Sequence, residues 1–153
     1  IVRHAVELGA ASVQPLVTTR SARFPAEAHG DKRLAHWRAI AVSACEQCGR
    51  NRVPTVHPVQ NFSKWLDDSA SSGAHRLVLS LADGTRGIAQ AGGDGAGDAL
   101  VLSGPEGGLA RDEDAQARAA GFAPVTLGRR VLRAETAALA ALVLLAGPDP
   151  ATA

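Results

Sequence analysis

Two glycine-containing segments in the C-terminal half of the chain carry residue types that suit ligand binding through the backbone. The first is residues 104–108 (GPEGG), and the second is residues 127–136 (LGRRVLRAET). Glycine leaves neighbouring N–H and C=O groups unhindered, and such fixed hydrogen-bonding positions suit a purine edge and a ribose. The spacing alone leaves two interpretations open for each segment, a ligand-binding loop or only a tight turn.

The residues around the first segment predict its structural setting. Apolar residues from 99 to 103 indicate a short buried strand, which cannot continue because Pro105 lacks an N–H donor. Three acidic residues, 112–114, then place negative charge at the positive end of a predicted helix. We therefore expect a strand, a loop and a helix in that order, the arrangement in which open α/β sheets bind ligands.

Other motifs in the chain favour structural roles. The first segment does not match the dinucleotide pattern Gly-x-Gly-x-x-Gly, and the glycine-rich run at 91–98 lacks the Lys-Ser/Thr ending of a phosphate-binding loop. The pair Cys45 and Cys48 could be a redox pair or half of a zinc site. No second Cys pair or His pair completes a metal site, so we expect no metal.

The hydrophobic pattern predicts an α/β fold with a mainly parallel sheet, because strands and helices alternate along the chain. By itself this pattern predicts an unknotted, doubly wound sheet, since knots are rare. Strands are predicted at 12–17, 55–59, 76–81, 99–103 and 123–127, and helices at 1–8, 31–47, 61–69, 110–120 and 134–146.

Composition restricts the class of protein. A chain of 153 residues with 46% apolar and 20% charged residues is expected to form one globular domain. Aromatic residues make up only 3%, which argues against base-stacking platforms, and the net charge of +1 means that nucleic-acid binding would need local arginine clusters. No apolar run has membrane-spanning length, and the low cysteine content favours a cytoplasmic location.

The motifs resemble those of a known family. Residues 102–109 (LSGPEGGL) with Glu113, and residues 125–137 (VTLGRRVLRAETA), are similar to the two signature loops of bacterial 16S ribosomal RNA uridine N3-methyltransferases. This is the RsmE family, within the SPOUT superfamily of knotted methyltransferases. Further similar segments, in the same order as in the family, are residues 6–9 (VELG), 15–21 (PLVTTRS), 37–44, 46–50 (EQCGR) and 53–54.

The resemblance implies a SPOUT-type α/β knot, in which a mainly parallel sheet is flanked by helices and the C-terminal part forms a trefoil knot. Residues 1–147 would form this domain and 148–153 a C-terminal tail, while the family's N-terminal PUA-like domain would precede Ile1 and is absent from this sequence. The family binds S-adenosylmethionine in the knot and dimerises through it. The residues expected to line the cofactor pocket are Leu79, Gly104, Glu106, Gly107, Leu127, Gly128, Val131 and Leu132.

The implied reaction is methylation of N3 of a uridine in the 16S RNA of the small ribosomal subunit. The N3 proton must leave, and an arginine near O2 and O4 would stabilise the resulting anion. Glu106 or Glu135 could accept the proton, although carboxylates near arginines are usually ion-paired and weakly basic. The residues expected to be catalytic are Arg20, Arg50, Arg133 and Glu106, with Arg52 as a further arginine candidate.

Substrate binding is expected to rest on arginines beside the family's loops, namely Arg20, Arg23, Arg50, Arg52 and Arg129. The expected partners are the 16S RNA or the small subunit and a second copy of the chain, with no membrane. An alternative function is a catalytically weak SPOUT module that binds RNA or a protein partner. The family does not fix which uridine is modified.

Overall fold

The computed structural model describes residues 1–21, 30–69, 74–91 and 97–146. The helices are α1 Val2–Glu7, α2 Gly30–Cys48, α3 Phe62–Ser69, α4 Ile88–Ala91, α5 Arg111–Ala119 and α6 Ala134–Ala146. The strands are β1 Ser12–Val13, β2 Leu16–Val17, β3 Thr55–Val56, β4 Gln60–Asn61, β5 His75–Leu79, β6 Arg86–Gly87, β7 Ala99–Leu102 and β8 Ala123–Thr126. The glycine-rich residues 92–96 and the predicted tail at 148–153 lie outside the described residues.

The main sheet has four strands in the order β6-β8-β5-β7, and all of its neighbouring pairs are parallel. In the register, Val78 of β5 lies opposite Leu102 of β7, and Leu79 lies opposite Val125 of β8. The predicted α/β class with a mainly parallel sheet is therefore confirmed. The last strand in the chain, β8, lies between two strands that are consecutive in sequence, β5 and β6.

The strand predicted at 12–17 is instead two short strands. β1 pairs with β3, and β2 pairs with β4, again in parallel. Pro15 lies between β1 and β2 and has no N–H to donate, so it interrupts the ladder. The side-chain amide of Gln14 fills part of the gap by donating to the carbonyl oxygens of Pro15 at 2.9 Å and Pro58 at 2.7 Å. Of the extended piece predicted at 55–59, only Thr55–Val56 is a strand, and the sequence pattern did not predict β4 at Gln60–Asn61.

Side chains alternate between the two faces of the main sheet and form two separate cores. Val78 points toward α3 and α5, whereas its neighbour Leu77 points toward α4 and α6. A third cluster joins α1, α2 and β3 and includes Val6, Ala41 and the buried thiol of Cys45. The sheet is thus covered by helices on both faces, as expected for parallel strands.

The sequence pattern missed β6 and α4. β6 has only two residues, and α4 has four, so neither is long enough to produce a recognisable periodicity. Their position is fixed by tertiary contacts, because β6 pairs with β8 and Ile88 is buried against Val125 and Ala141. In contrast, the helix predicted at 134–146 has those bounds in the structure.

Three buried aromatic residues, Phe62, Trp65 and Phe122, form much of the core on the α3–α5 side of the sheet. The Phe122 side chain is 2% exposed, and its ring centroid lies 5.8 Å from that of Trp65. We expect Phe122→Ala to lower the free energy of unfolding by about 3–5 kcal/mol, because it leaves a cavity in the core. Urea denaturation measures this loss. The exposed Val42 on α2 gives a control, since Val42→Ala should cost less than about 0.5 kcal/mol. Equal losses from the two variants would contradict this account of the core.

Candidate functional site

The carboxyl ends of three adjacent parallel strands define the candidate site. β5 lies between β7 and β8, so residues 80–85, 103–110 and 127–133 all leave the sheet at the same edge. The two glycine-containing segments follow the two strands that flank β5. They are separated by two interstrand spacings, roughly 10 Å. The sequence therefore predicted correctly that both segments begin at a strand end, and the topology brings them to one edge.

The first loop folds back on itself. The Gly108 N–H donates to the Pro105 carbonyl oxygen at 2.7 Å and closes a turn, and Gly108 itself has a φ of +69°. An ideal Cβ on Gly104 would lie 2.7 Å from the Leu109 backbone nitrogen and 2.9 Å from the Gly108 carbonyl carbon. Only glycine fits at 104, because any side chain would collide with backbone atoms that close the loop.

A buried carboxylate ties this loop to a distant part of the chain. The Glu113 side chain is 5% exposed, and its Oε2 accepts from the Ala110 N–H at 2.9 Å, one half of a helix capping box. Its Oε1 accepts from the Thr19 N–H at 2.7 Å and from the Thr19 hydroxyl at 3.0 Å. The sequence predicted an acidic helix start but not the contact with Thr19. The capping-box pattern was hidden because Ala110 has no side-chain oxygen.

Arg20 contacts the same loop from outside. Its Nη1 donates to the Gly107 carbonyl oxygen at 2.8 Å and to the Leu109 carbonyl oxygen at 3.3 Å. The aliphatic part of Arg20 lies over Gly107, where an added Cβ would be 3.4 Å from Cδ. The structure thus brings Arg20 and Gly107 together and gives the guanidinium backbone partners in the loop. Glu106, at the tip of the turn, is exposed.

The second loop combines a glycine with apolar side chains. Gly128 has a φ of +121°, and the Thr126 hydroxyl donates to its carbonyl oxygen at 3.1 Å. Leu127 is half-buried against the α6 side of the sheet, and Leu132 is also half-buried. Val131 is 75% exposed. Leu79, at the end of β5, is half-buried on the same face as Leu127. These side chains give the edge an apolar surface beside the glycine-containing backbone of the loops.

Arg118 of α5 bonds to the third loop at this edge, residues 80–85, which follows β5. No sequence pattern indicated this role of Arg118. Its Nη2 donates to the buried Ser80 hydroxyl at 3.2 Å, and its Nη1 donates to the Asp83 carbonyl oxygen at 3.3 Å. Its Nε pairs with the Asp114 carboxylate at 2.7 Å. The i, i+4 spacing of Asp114 and Arg118 is a usable sequence signal for the ion pair, but the contacts with the loop depend on the fold.

The remaining predicted arginines lie in different settings. Arg50 Nη1 donates to the carbonyl oxygens of Val6 at 2.7 Å and Ala10 at 3.1 Å, so it joins the end of α1 to the segment after α2. Arg52, Arg129 and Arg133 are exposed. Within the described part of the chain, the side chains of Arg129 and Arg133 make no hydrogen bond or ion pair. Arg23 lies outside the described residues.

The described residues lack the features of a metal site and of a membrane span. Among them, no group of three or more His, Cys, Asp or Glu side chains could hold a metal ion. Cys45 and Cys48 are both free thiols, the first buried and the second exposed. In the same residues, no helix combines the length and the apolar character needed to cross a membrane.

Comparison with known proteins defines the class. The sequence model of the RNA methyltransferase domain family matches residues 1–146, and the chain belongs to this family. It is 34% identical over 144 residues to ribosomal RNA small subunit methyltransferase E of Synechocystis sp., covering 93% of this chain and 46% of that protein. It is 39% identical over 115 residues to the Mycobacterium tuberculosis protein of the same name, covering 73% and 44%. The predicted resemblance is thus confirmed.

Solved structures agree with the sequence relatives. A ribosomal RNA small subunit methyltransferase E from Neisseria gonorrhoeae, bound to S-adenosyl methionine, has 39% identity and a TM-score of 0.82, covering 93% of this chain and 57% of its own. A methyltransferase from Legionella pneumophila, in complex with the bound cofactor SAM, has 32% identity and a TM-score of 0.83, covering 94% and 58%. The chain spans about half the length of the curated relatives it matches, 46% and 44% for the two named.

The contrast between two loop glycines gives a direct test of the site's geometry. We expect Gly104→Ala to lower the free energy of unfolding by about 1–3 kcal/mol, because the methyl group meets backbone atoms that cannot move aside. Gly107→Ala is the matched control, since its methyl group meets only the flexible Arg20 side chain at 3.4 Å. It should change stability by less than about 0.5 kcal/mol. Thermal or urea unfolding of the two variants compares them, and a Gly104→Ala protein as stable as Gly107→Ala would refute the close approach.

Proposed function

We propose that this chain is the catalytic domain of an S-adenosylmethionine-dependent enzyme that methylates N3 of a uridine in small-subunit 16S ribosomal RNA. The observation that carries the proposal is that the two family loops, 104–108 and 127–133, lie at one edge of the sheet, at the carboxyl ends of the parallel strands that flank β5. Ligands of open α/β sheets bind at such an edge. The relatives named above support the RNA substrate and the cofactor through their own names and bound ligands.

The residues at this edge fit S-adenosylmethionine. The loops present backbone N–H and C=O groups for the polar edge of adenine and the ribose, and the leucine and valine side chains present apolar surface for the ring. When bound, the cofactor would supply an electrophilic methyl group on its sulfonium. The proposed contacts are Leu79, Gly104, Glu106, Gly107, Leu127, Gly128, Val131 and Leu132.

The chain's own task in catalysis is to place the uridine and to stabilise the charge on it. An arginine beside O2 or O4 favours loss of the N3 proton, because it stabilises the anion that remains. Arg133 suits this task best among Arg20, Arg50 and Arg133, since it is exposed at the end of the second loop. Arg20 and Arg50 are each bonded to backbone carbonyl oxygens. Glu106 is the candidate proton acceptor.

RNA binding is proposed for the exposed arginines around the site. Arg129 lies in the second loop and Arg52 in the segment after α2, and both are exposed. Arg20, Arg23 and Arg50 complete the set proposed from the sequence. Each arginine that meets a phosphate adds salt-sensitive, sequence-independent affinity, so this set would bind the RNA without selecting the uridine.

We also propose the trefoil knot, and the strand order supports it. Residues 80–85 must pass from β5 across β8 to reach β6, and the bond from Arg118 of α5 to the Asp83 carbonyl oxygen supports a crossing on the α5 side. The chain then reaches α4, where Ile88 packs with Ala141 of α6 on the other side. β8 therefore has earlier parts of the chain on both of its faces, as a threaded C-terminal segment requires.

The proposed assembly follows the family. A homodimer through the knot region is supported by Val143 and Leu144, two apolar residues of α6 that are more than half exposed. In the longer protein, a PUA-like domain before residue 1 would contribute RNA affinity, and residues 148–153 would form a tail. The cytoplasm, where ribosomal RNA is modified, is the proposed location.

Calorimetric titration with S-adenosylmethionine tests the cofactor site. We expect saturable binding, and we expect Val131→Asp to weaken it about ten-fold, because the apolar contact with adenine is lost. Val131 is exposed, so the variant should fold. Val53→Asp is the matched control, since Val53 is a similarly exposed valine outside the site. Absence of heat up to millimolar cofactor would overturn the proposed function, and equal affinity of the two variants would remove Val131 from the pocket.

Product analysis tests the reaction. Unmodified small subunits are incubated with the cofactor and either this chain or a longer chain that includes a PUA-like domain, and N3-methyluridine is measured by mass spectrometry. We expect cofactor binding by both chains but much lower turnover by the shorter one, since it lacks the RNA contacts that the PUA-like domain would add. RNA binding without any methylated product from either chain would instead support the catalytically weak binding module.

The same assay tests the proposed role of Arg133. Arg133→Gln should lower kcat about 100-fold and leave the cofactor Kd unchanged, because the guanidinium acts on the developing anion. Arg130→Gln removes a neighbouring exposed arginine as the control and should retain kcat. If both variants lose kcat equally, Arg133 has no special role.

A further inference from the structure

We propose that Glu113 is a positioning residue for the cofactor loop, which it fastens to the turn formed by residues 18–21. The inference rests on the proposed function, because the loop at 104–108 is part of the proposed S-adenosylmethionine pocket. Glu113 lies outside the proposed pocket. Its role would be to hold the most glycine-rich loop of the pocket, residues 104–108, in the conformation that binds the cofactor. Glu113 itself need not touch the cofactor.

The contacts of Glu113 are those of a bridge between two segments. One carboxylate oxygen accepts from the Ala110 N–H at 2.9 Å, at the end of the loop. The other accepts from the N–H and the hydroxyl of Thr19 at 2.7 and 3.0 Å. A carboxylate that is 5% exposed is costly unless it is hydrogen-bonded. Separation of Thr19 from Glu113 would leave this buried charge with unfilled acceptor positions, so the contact is strongly favoured.

The turn that Glu113 holds is itself well ordered by local bonds. The Ser21 N–H donates to the Thr18 carbonyl oxygen at 3.1 Å, and the Thr18 N–H donates to the Ser21 hydroxyl oxygen at 3.0 Å. The two hydroxyl groups of Thr18 and Ser21 are 2.9 Å apart and share a further hydrogen bond. Since Thr19 lies inside this closed turn, fixing Thr19 fixes the whole turn relative to α5.

Arg20 attaches the turn at 18–21 to the loop at 104–108. It follows Thr19 directly, and its guanidinium donates to the carbonyl oxygens of Gly107 and Leu109 at 2.8 and 3.3 Å. The loop therefore has two external attachments on one turn, Glu113 through Thr19 and the guanidinium of Arg20. A loop with three glycines has few side chains of its own to restrict it, so external attachments must supply the order.

Loss of the contact between Glu113 and Thr19 is expected to weaken cofactor binding more than it lowers the stability of the fold. If the attachment is lost, the loop samples more conformations, and binding must then include the entropy cost of ordering it. The core clusters on the two faces of the sheet do not include Glu113 or Thr19. We therefore expect weaker cofactor binding in variants that still melt near the wild-type temperature.

Calorimetry with S-adenosylmethionine on four proteins tests the inference. Glu113→Gln has one acceptor oxygen in place of two and cannot satisfy both Ala110 and Thr19, so its Kd should rise about ten-fold. Thr19→Val loses only the hydroxyl contact and should raise Kd about three-fold with an unchanged Tm. Asp112→Asn is the matched control, since it removes the adjacent, exposed carboxylate of the same helix turn. Its Kd should stay within two-fold of wild type.

The double variant Thr19→Val with Glu113→Gln checks that the two residues act together. Its Kd should be no higher than that of Glu113→Gln alone, because the contact is already broken. Hydrogen exchange of peptides covering residues 104–110 provides a second readout, in which Glu113→Gln and Thr19→Val should exchange faster than Asp112→Asn. This readout decides the matter through Thr19→Val if Glu113→Gln does not fold.

The outcomes separate the inference from the proposed function. A wild-type chain that does not bind S-adenosylmethionine overturns the proposed function, and the exchange data then still decide whether Glu113 orders the loop. If the wild type binds and Glu113→Gln binds equally well, the inference is wrong and the proposed function stands. A Thr19→Val variant with unchanged Kd and unchanged exchange would also overturn it.

Discussion

The absence of a side chain at position 104 determines the shape of the site. Because an ideal Cβ there would lie 2.7 Å from the Leu109 nitrogen, the end of β7 and the start of α5 approach each other as closely as a backbone allows. The short path lets α5 turn back at once and cover the sheet, where Ala117 is fully buried. The same close approach makes residues 105–108 form a tight turn, which the Gly108 N–H closes on the Pro105 carbonyl oxygen. Gly104 is thus required for the closure of the loop itself, whether or not a cofactor is bound.

The rest of the edge is held by side chains that reach over from other elements. Arg118 fixes the loop after β5, Glu113 fixes the turn at 18–21, and Arg20 fixes the loop after β7. In each case a charged group bonds to uncharged backbone or hydroxyl groups, and such bonds are stronger than those between two neutral groups. A pocket made mostly of backbone needs this support, since its own residues contribute little packing. The glycines permit the backbone conformation of the loops, and the hydrogen bonds from the charged residues around them stabilise that conformation.

Sequence reasoning predicted the parts of the fold that local patterns determine. The α/β class, the strand ends before both glycine loops and the helix Ala134–Ala146 follow from hydrophobic periodicity and from Gly and Pro positions. β6 and α4 were missed because two and four residues carry no period, and Pro15 divided a strand that looked continuous. Glu113 and Arg118 were missed as site residues because their partners lie 94 and 38 positions away in sequence, at Thr19 and Ser80. Only the fold brings such pairs together.

The order of the strands in the sheet is a further feature that hydrophobic periodicity cannot predict. Alternating strands and helices predict a parallel sheet but do not say that β8, the last strand, lies between β5 and β6. An ordinary doubly wound sheet would place β8 at an edge beside β7, and not between β5 and β6. With β8 beside β5, the two glycine loops are separated by a single strand. The family motifs implied this proximity, and its physical basis is that β8 pairs with Leu79 on one side and Arg86 on the other. The strand order therefore determines both the crossing from β5 to β6 and the spacing between the two loops.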